Sequence, residues 1–126
     1  MPFAPEDLAL IDATEEMHIE TRATGRVYRT IIWVVVDGDE VFVRSYQGER
    51  GHWYQRALSD EAVALHVGGR RIPARAVPAV DADSVSRTSE GFRRKYPRSR
   101  STDAMVRPEV LATTLRLEPD VPDLQA

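Results

Sequence analysis

The run "TIIWVVVDGDEVFVRSY", residues 30–46, constrains this chain more than any other stretch of it. Asp37-Gly38 stands between two β-branched runs, and such a pair supplies the positive backbone angles that a tight hairpin turn requires. With those two residues as the loop, Val36 lies opposite Asp39, Val34 opposite Val41, Ile32 opposite Val43 and Thr30 opposite Ser45. Period-two alternation then sorts the side chains. One face is aliphatic and ends in two hydroxyls; the other carries Arg29, Ile31, Trp33 and Val35 beside Tyr46, Arg44, Phe42 and Glu40. A slip of one residue would exchange the faces. Because Ile31 to Val36 is apolar on both sides, this strand is predicted to be central and covered twice.

The remaining elements follow from similar signals. Pro5 and acidic Glu6 and Asp7 around Leu8, Leu10 and Ile11 open a helical N-terminal segment over residues 1–15. A Thr-Gly turn joins two strand segments in "MHIETRATGRVYRT", and "HWYQRALS" reads as a short helix with Trp53/Ala57 and Tyr54/Leu58 at four-residue spacing. A hairpin turning at Gly68-Gly69 is expected next, with Pro73 and Pro78 placing its second arm at a sheet edge. A helix from about Asp83 to Tyr96, stopped by Pro97, precedes a closing strand in "EVLATTLRLEP" and a frayed tail over residues 120–126. Hairpins rather than crossovers, with no phosphate-binding GxGxxG or Walker loop, predict a mainly β fold: a small antiparallel six-stranded barrel carrying a few helices.

Composition narrows the function classes. With 126 residues, 42% hydrophobic and 29% charged, the chain is expected to form one domain over residues 1–126. It has no cysteine, which removes disulfides and thiol chemistry. Its longest apolar run is too short to span a bilayer and its acidic start lacks a signal-peptide pattern, so a cytoplasmic location without membrane attachment is predicted. A net charge of −3 argues against nucleic acid as a partner, and the basic group Arg93, Arg94, Lys95, Arg98 and Arg100 reads first as a solvated helix end. His18, His52 and His66 have no metal-ligand spacing, so no metal is expected. No serine lies in a nucleophile elbow.

The loop "RSYQGERG" carries two arginines, a hydroxyl and glycines directly before a helix start, which are the parts of an anion site. An ordinary strand-to-helix corner uses the same glycines for turn geometry, and both readings stand at this level. His52 lies where it could donate to an anion or transfer a proton.

Taken in order, "GRVYRT", "DG", "VRSYQG", "WYQRAL" and "TLRLEP" resemble the split β-barrel superfamily that binds flavin mononucleotide (FMN) or the related deazaflavin coenzyme. The order is similar to that of the deazaflavin-dependent nitroreductases, with His52 and Ala57 standing where that branch tends to have Pro and Asn. The elements "IWVVVDG", "VRS", "WY" and "KYP" are closer to an uncharacterised bacterial family of the same fold, a domain of unknown function. The resemblance implies a homodimer with its cofactor between subunits and the cofactor's phosphate near the loop after the third strand. Arg44, Ser45, Gly48, Arg50 and Gly51 are then phosphate-side candidates, and Trp53 and Tyr54 anchor the helix. Arg29, Trp33 and Tyr46 join them from the mixed sheet face as cofactor-binding candidates, and His52 and Tyr54 are the candidate proton donors. The expected function is that of a flavin- or deazaflavin-dependent oxidoreductase acting on a small molecule. The rival is a cofactor-free dimeric binding or scaffold domain whose interface is that same face.

Overall fold

The computed structural model describes residues 2–120, so the expected tail lies outside them except for Asp120. Helix α1 (Pro5–Ala13) leads into two hairpins, β1 (Met17–Ala23) with β2 (Arg26–Ile32) and β3 (Val34–Asp37) with β4 (Glu40–Val43). A 3-10 turn (Gly48–Arg50) and α2 (His52–Ser59) follow, then β5 (Ala62–Val67), β6 (Arg70–Pro78), α3 (Ala82–Lys95), α4 (Arg100–Met105), α5 (Pro108–Leu111) and β7 (Leu115–Pro119). All strand pairs are antiparallel in one curled sheet of seven strands, ordered β2-β1-β5-β6-β7-β4-β3.

Seven strands replace the expected six because the run Arg26–Asp37 breaks at Trp33. Its halves become the two outermost strands of the sheet. The expectation of a central strand is therefore corrected: β3 is terminal. Its two apolar faces are nonetheless both used. Val34 packs inward against Ile11, Met17, Val43 and Leu115, whereas Val35 packs outward against Phe92, Tyr96 and Met105 under α3 and α4. The helix approaches closely at Gly91, where a Cβ would stand 2.0 Å from Val35 Cγ1. Arg87 fastens α3 to the hairpin through Asp37 and Glu40.

In the β3–β4 hairpin Gly38, φ +64°, takes the first loop position, so Asp37 pairs with Glu40 and Val34 with Val43 rather than Val41. The pairing is displaced by two residues, an even step that leaves every side chain on its expected face. Two further expectations change. Strand β6 lies between β5 and β7, not at an edge. The Pro73 carbonyl accepts from Asp120 N at 3.3 Å on the β7 side, so its missing N–H falls just past the last paired residue there, Ala74 opposite Pro119. Of the predicted closing strand "EVLATTLRLEP", the first part is α5 and a turn. Leu58, one of the four-spaced helix pairs, is 52% exposed, while Trp53, Tyr54 and Ala57 face the core. Among the described residues no helix is long and apolar enough to cross a membrane.

The outer face of β1 and β5 buries a carboxylate. Glu20 Oε1 and Oε2 accept from Arg71 Nε and Nη2 at 3.1 and 2.8 Å, and His66 Nε2 lies 2.8 Å from Oε1. Hydrogen bonding to Arg71 foremost, with His66, holds the Glu20 carboxyl down from 4.5 to about 2 against the opposing effect of burial. A carboxyl lowered in the folded state stabilises it above the ordinary carboxylate range, and that contribution is lost as pH falls from about 4.5 towards 2. Glu20→Gln is expected to lower stability at neutral pH by about 2 kcal/mol and to flatten the acid limb in this window. Urea unfolding followed from pH 7 to 2 measures both.

Candidate functional site

Beyond Val43 the chain stays extended for two residues, and alternation sends their side chains to opposite faces. Arg44 turns outward beneath α3 and Ser45 inward. Two consecutive threonines just before β7 hold them there: Arg44 Nε donates to Thr114 Oγ1 at 2.9 Å, and the Ser45 N–H donates to Thr113 Oγ1 at 3.0 Å. All four residues are buried.

The chain then folds back on itself. The Gly48 N–H donates to the Ser45 carbonyl at 3.0 Å, and the Gly51 N–H to the Gly48 carbonyl at 3.1 Å. Gly48 needs its glycine for φ +66°. Gly51 needs it for space, since a Cβ there would stand 2.3 Å from Ser45 Oγ. Gly51 is also the N-cap of α2, so no side chain caps the helix and its first-turn amides lack an internal acceptor. Ser45 Oγ, fully buried, has no hydrogen-bond partner.

These groups meet in a cavity of about 330 Å³ lined by Ser45, Gly51, His52 and Trp53, with Thr30, Gln47 and Arg56 completing the wall. Arg56 is its fixed cation. Its Nε donates to Thr21 Oγ1 at 2.8 Å and its guanidinium carbon lies 4.1 Å from the centre of the Tyr28 ring. Its terminal nitrogens have no hydrogen-bond partner among the described residues, and the dipole of α2 also favours an anion at the helix start. A buried hydroxyl without a partner costs stability, and glycine at residue 51 is what lets the start of α2 lie against it.

A second cavity, about 200 Å³, lies on the other side of the same seam between β2 and the post-β4 segment. Thr30 and Ser45 line the first, Ile31 and Tyr46 the second, as alternation requires. Ile32, Trp33 and Met105 give the second slot an apolar wall, and Glu16 and Ser101 a polar one. A wider groove of about 610 Å³ runs beside β6 and β7, but its Arg75 and Arg116 are already paired with Glu61 and Glu118.

The sequence candidates thus separate. Ser45, Gly51, His52 and Trp53 line one cavity and Trp33 and Tyr46 the other, with Gly48 shaping the loop between them. Trp33 is stacked on Tyr96, ring centres 4.0 Å apart at 7°, so one face of its indole is taken. Arg50 is exposed, Arg29 is exposed on β2, and neither lines either of these two cavities. Tyr54 is buried edge-on to Trp53, away from both cavities, and burial pushes its phenol up. Arg44, 1% exposed, spends its donors on internal oxygens and does not reach the cavity. Arg56, Thr30 and Gln47 are not among the site candidates drawn from the sequence, although Thr30 was placed opposite Ser45. Arg56 was legible as the residue three beyond Trp53 on one helix face.

Residues 7–117 match the model of a family described as "Uncharacterized protein conserved in bacteria (DUF2255)". No curated protein matches the chain in sequence. Among solved structures it is similar to a FAD-binding protein from Mesorhizobium loti, at 13% identity with 96% of this chain and 91% of the other covered and a TM-score of 0.67. It is also similar to HutZ, the haem storage protein of Vibrio cholerae (14%, covering 97% and 93%, TM-score 0.62), and to an F420 reductase (16%, covering 96% and 97%, TM-score 0.58). At these identities the likeness is one of fold.

Removing the orphaned hydroxyl tests the local accounting. Ser45→Ala is expected to raise stability of the ligand-free protein by about 1 kcal/mol, whereas Gly51→Ala lowers it, and thermal melts of the two variants check the opposite signs.

Proposed function

This chain belongs to the bacterial DUF2255 family, and on that premise we propose that it binds a phosphate-bearing flavin-type cofactor, FMN or a deazaflavin, in the seam between β2 and the loop before α2. The observation that carries the reading is Ser45 Oγ, buried and unpartnered against an uncapped helix start. It supports an anion supplied from outside. Ser45 Oγ, the first-turn amides of α2 and Arg56 would hold the phosphate. The aromatic and aliphatic wall of the second slot, at Ile31, Trp33 and Tyr46, supports a planar ring there.

When bound, such a cofactor supplies hydride transfer to a small oxidised substrate, so the protein itself needs no nucleophile. Its own residues fix the phosphate, wall off one side of the ring, and offer His52, exposed on the first turn of α2, as a proton donor. The ring side stays open in one chain, with Ile31 57% and Tyr46 52% exposed. A second copy covering it agrees with the dimer implied by the resemblance. The same exposure favours the rival reading, a cofactor-free dimeric scaffold that uses these residues only as an interface.

Titration with FMN and with a deazaflavin, read by absorbance and tryptophan quenching, separates the two. Saturable binding is expected, weakened roughly tenfold by Arg56→Ala and abolished by Gly51→Ala. A dimer in sedimentation that binds neither compound would instead establish the scaffold.

A further inference from the structure

Arg44 is among the largest fully buried side chains of the protein, and it has no acid beside it. Its Nη1 donates to Ser89 Oγ and the Met105 carbonyl at 3.0 and 2.9 Å, its Nη2 to the Val85 carbonyl at 3.1 Å and its Nε to Thr114 Oγ1. Every acceptor is neutral. The carbonyl of Met105, last residue of α4, contributes the negative end of a short helix, which is less than a unit charge. The charged group that acts on Arg44 is another cation, Arg93. Buried ions are ordinarily paired, so this site lacks a negative charge.

The missing charge has an obvious place. The neighbouring residue is Ser45, on the other side of the strand, whose orphaned hydroxyl is buried against Gly51 at the start of α2, in the wall of the anion cavity. An anion held there would lie behind Arg44 by about the thickness of a strand and its side chains, on the order of 10 Å. The intervening material is buried protein, where Coulomb attraction is weakened far less than in water.

We propose that Arg44 is a positioning residue for the phosphate site: its uncompensated charge acts through the strand on the anion at Ser45 and makes the cavity select a doubly charged phosphate. The proposal rests on the phosphate reading above. It assigns to Arg44 no contact with the ligand. Anion binding in turn relieves the buried guanidinium, so ligand and fold stabilise each other by more than the direct bonds alone would give.

The test compares ligands that differ in charge. FMN and riboflavin share a ring, and only FMN carries the phosphate. Arg44→Met is expected to weaken FMN roughly tenfold and to leave riboflavin unchanged, and Arg44→Lys to restore most of the FMN affinity. Equal weakening of both ligands, or of neither, overturns the proposal. Should Arg44→Met fail to fold, the wild-type guanidinium reports directly through its 15N resonances. Burial lowers it to about 10, and saturating FMN should move that titration upward; an unmoved midpoint is the contrary result. A wild type that binds no FMN removes the phosphate reading itself, whereas wild-type binding with an indifferent Arg44→Met removes only this inference.

Discussion

An arginine only 1% exposed, Arg44, sits between the sheet and its outer helices, and the surrounding structure is organised to keep it there. Withdrawing that charge from water costs several kcal/mol, against about 1.5–3 kcal/mol from each hydrogen bond to a charged group. Several such bonds are needed to hold the ion there, and they leave its net charge unneutralised. The acceptors come from α3, α4 and the segment before β7, so those elements must all be docked before Arg44 is satisfied. This accounts for part of the polar stripe buried on α3: Ser89 accepts from the ion, whereas Thr88 donates to the Ser84 carbonyl within the helix. The Phe92 ring lies 5.6 Å from the guanidinium carbon.

What the sequence made legible was direction more than position. Alternation placed Arg44 with Trp33 and Val35 on one face, and that face is the one α3 covers. Register was less accessible, because a loop of Asp37-Gly38 and one of Gly38-Asp39 both put glycine at a positive angle; they differ by an even shift that preserves every face. The break at Trp33 left no local signal at all. A run of β-branched residues is equally suited to one long strand or to two short ones, and what holds the chain at the break comes from far along it: Trp33 stacks on Tyr96, the Val34 N–H donates to the Tyr96 hydroxyl, and Lys95 donates to the Val34 carbonyl. The site was misjudged for a related reason. Arginines next to glycines read as ligand contacts, yet whether a guanidinium faces a cavity or a helix depends on what long-range elements fill the opposite face. Arg44 is filled in by α3, and Arg56, unremarkable in sequence, takes the cavity wall.

The strand order has a bearing on how the molecule comes to exist. Without β7 the pairing falls into two sheets, β2-β1-β5-β6 and β4-β3, joined by the peptide through Trp33 and by helices. Strand β7 lies between β6 and β4 and pairs with both. Its residues, Leu115–Pro119, directly follow the threonines that hold Arg44 and Ser45. One short strand therefore both closes the sheet and brings an acceptor to the buried ion, so losing its pairing would bare the edges of β6 and β4 and unseat Arg44 in the same event.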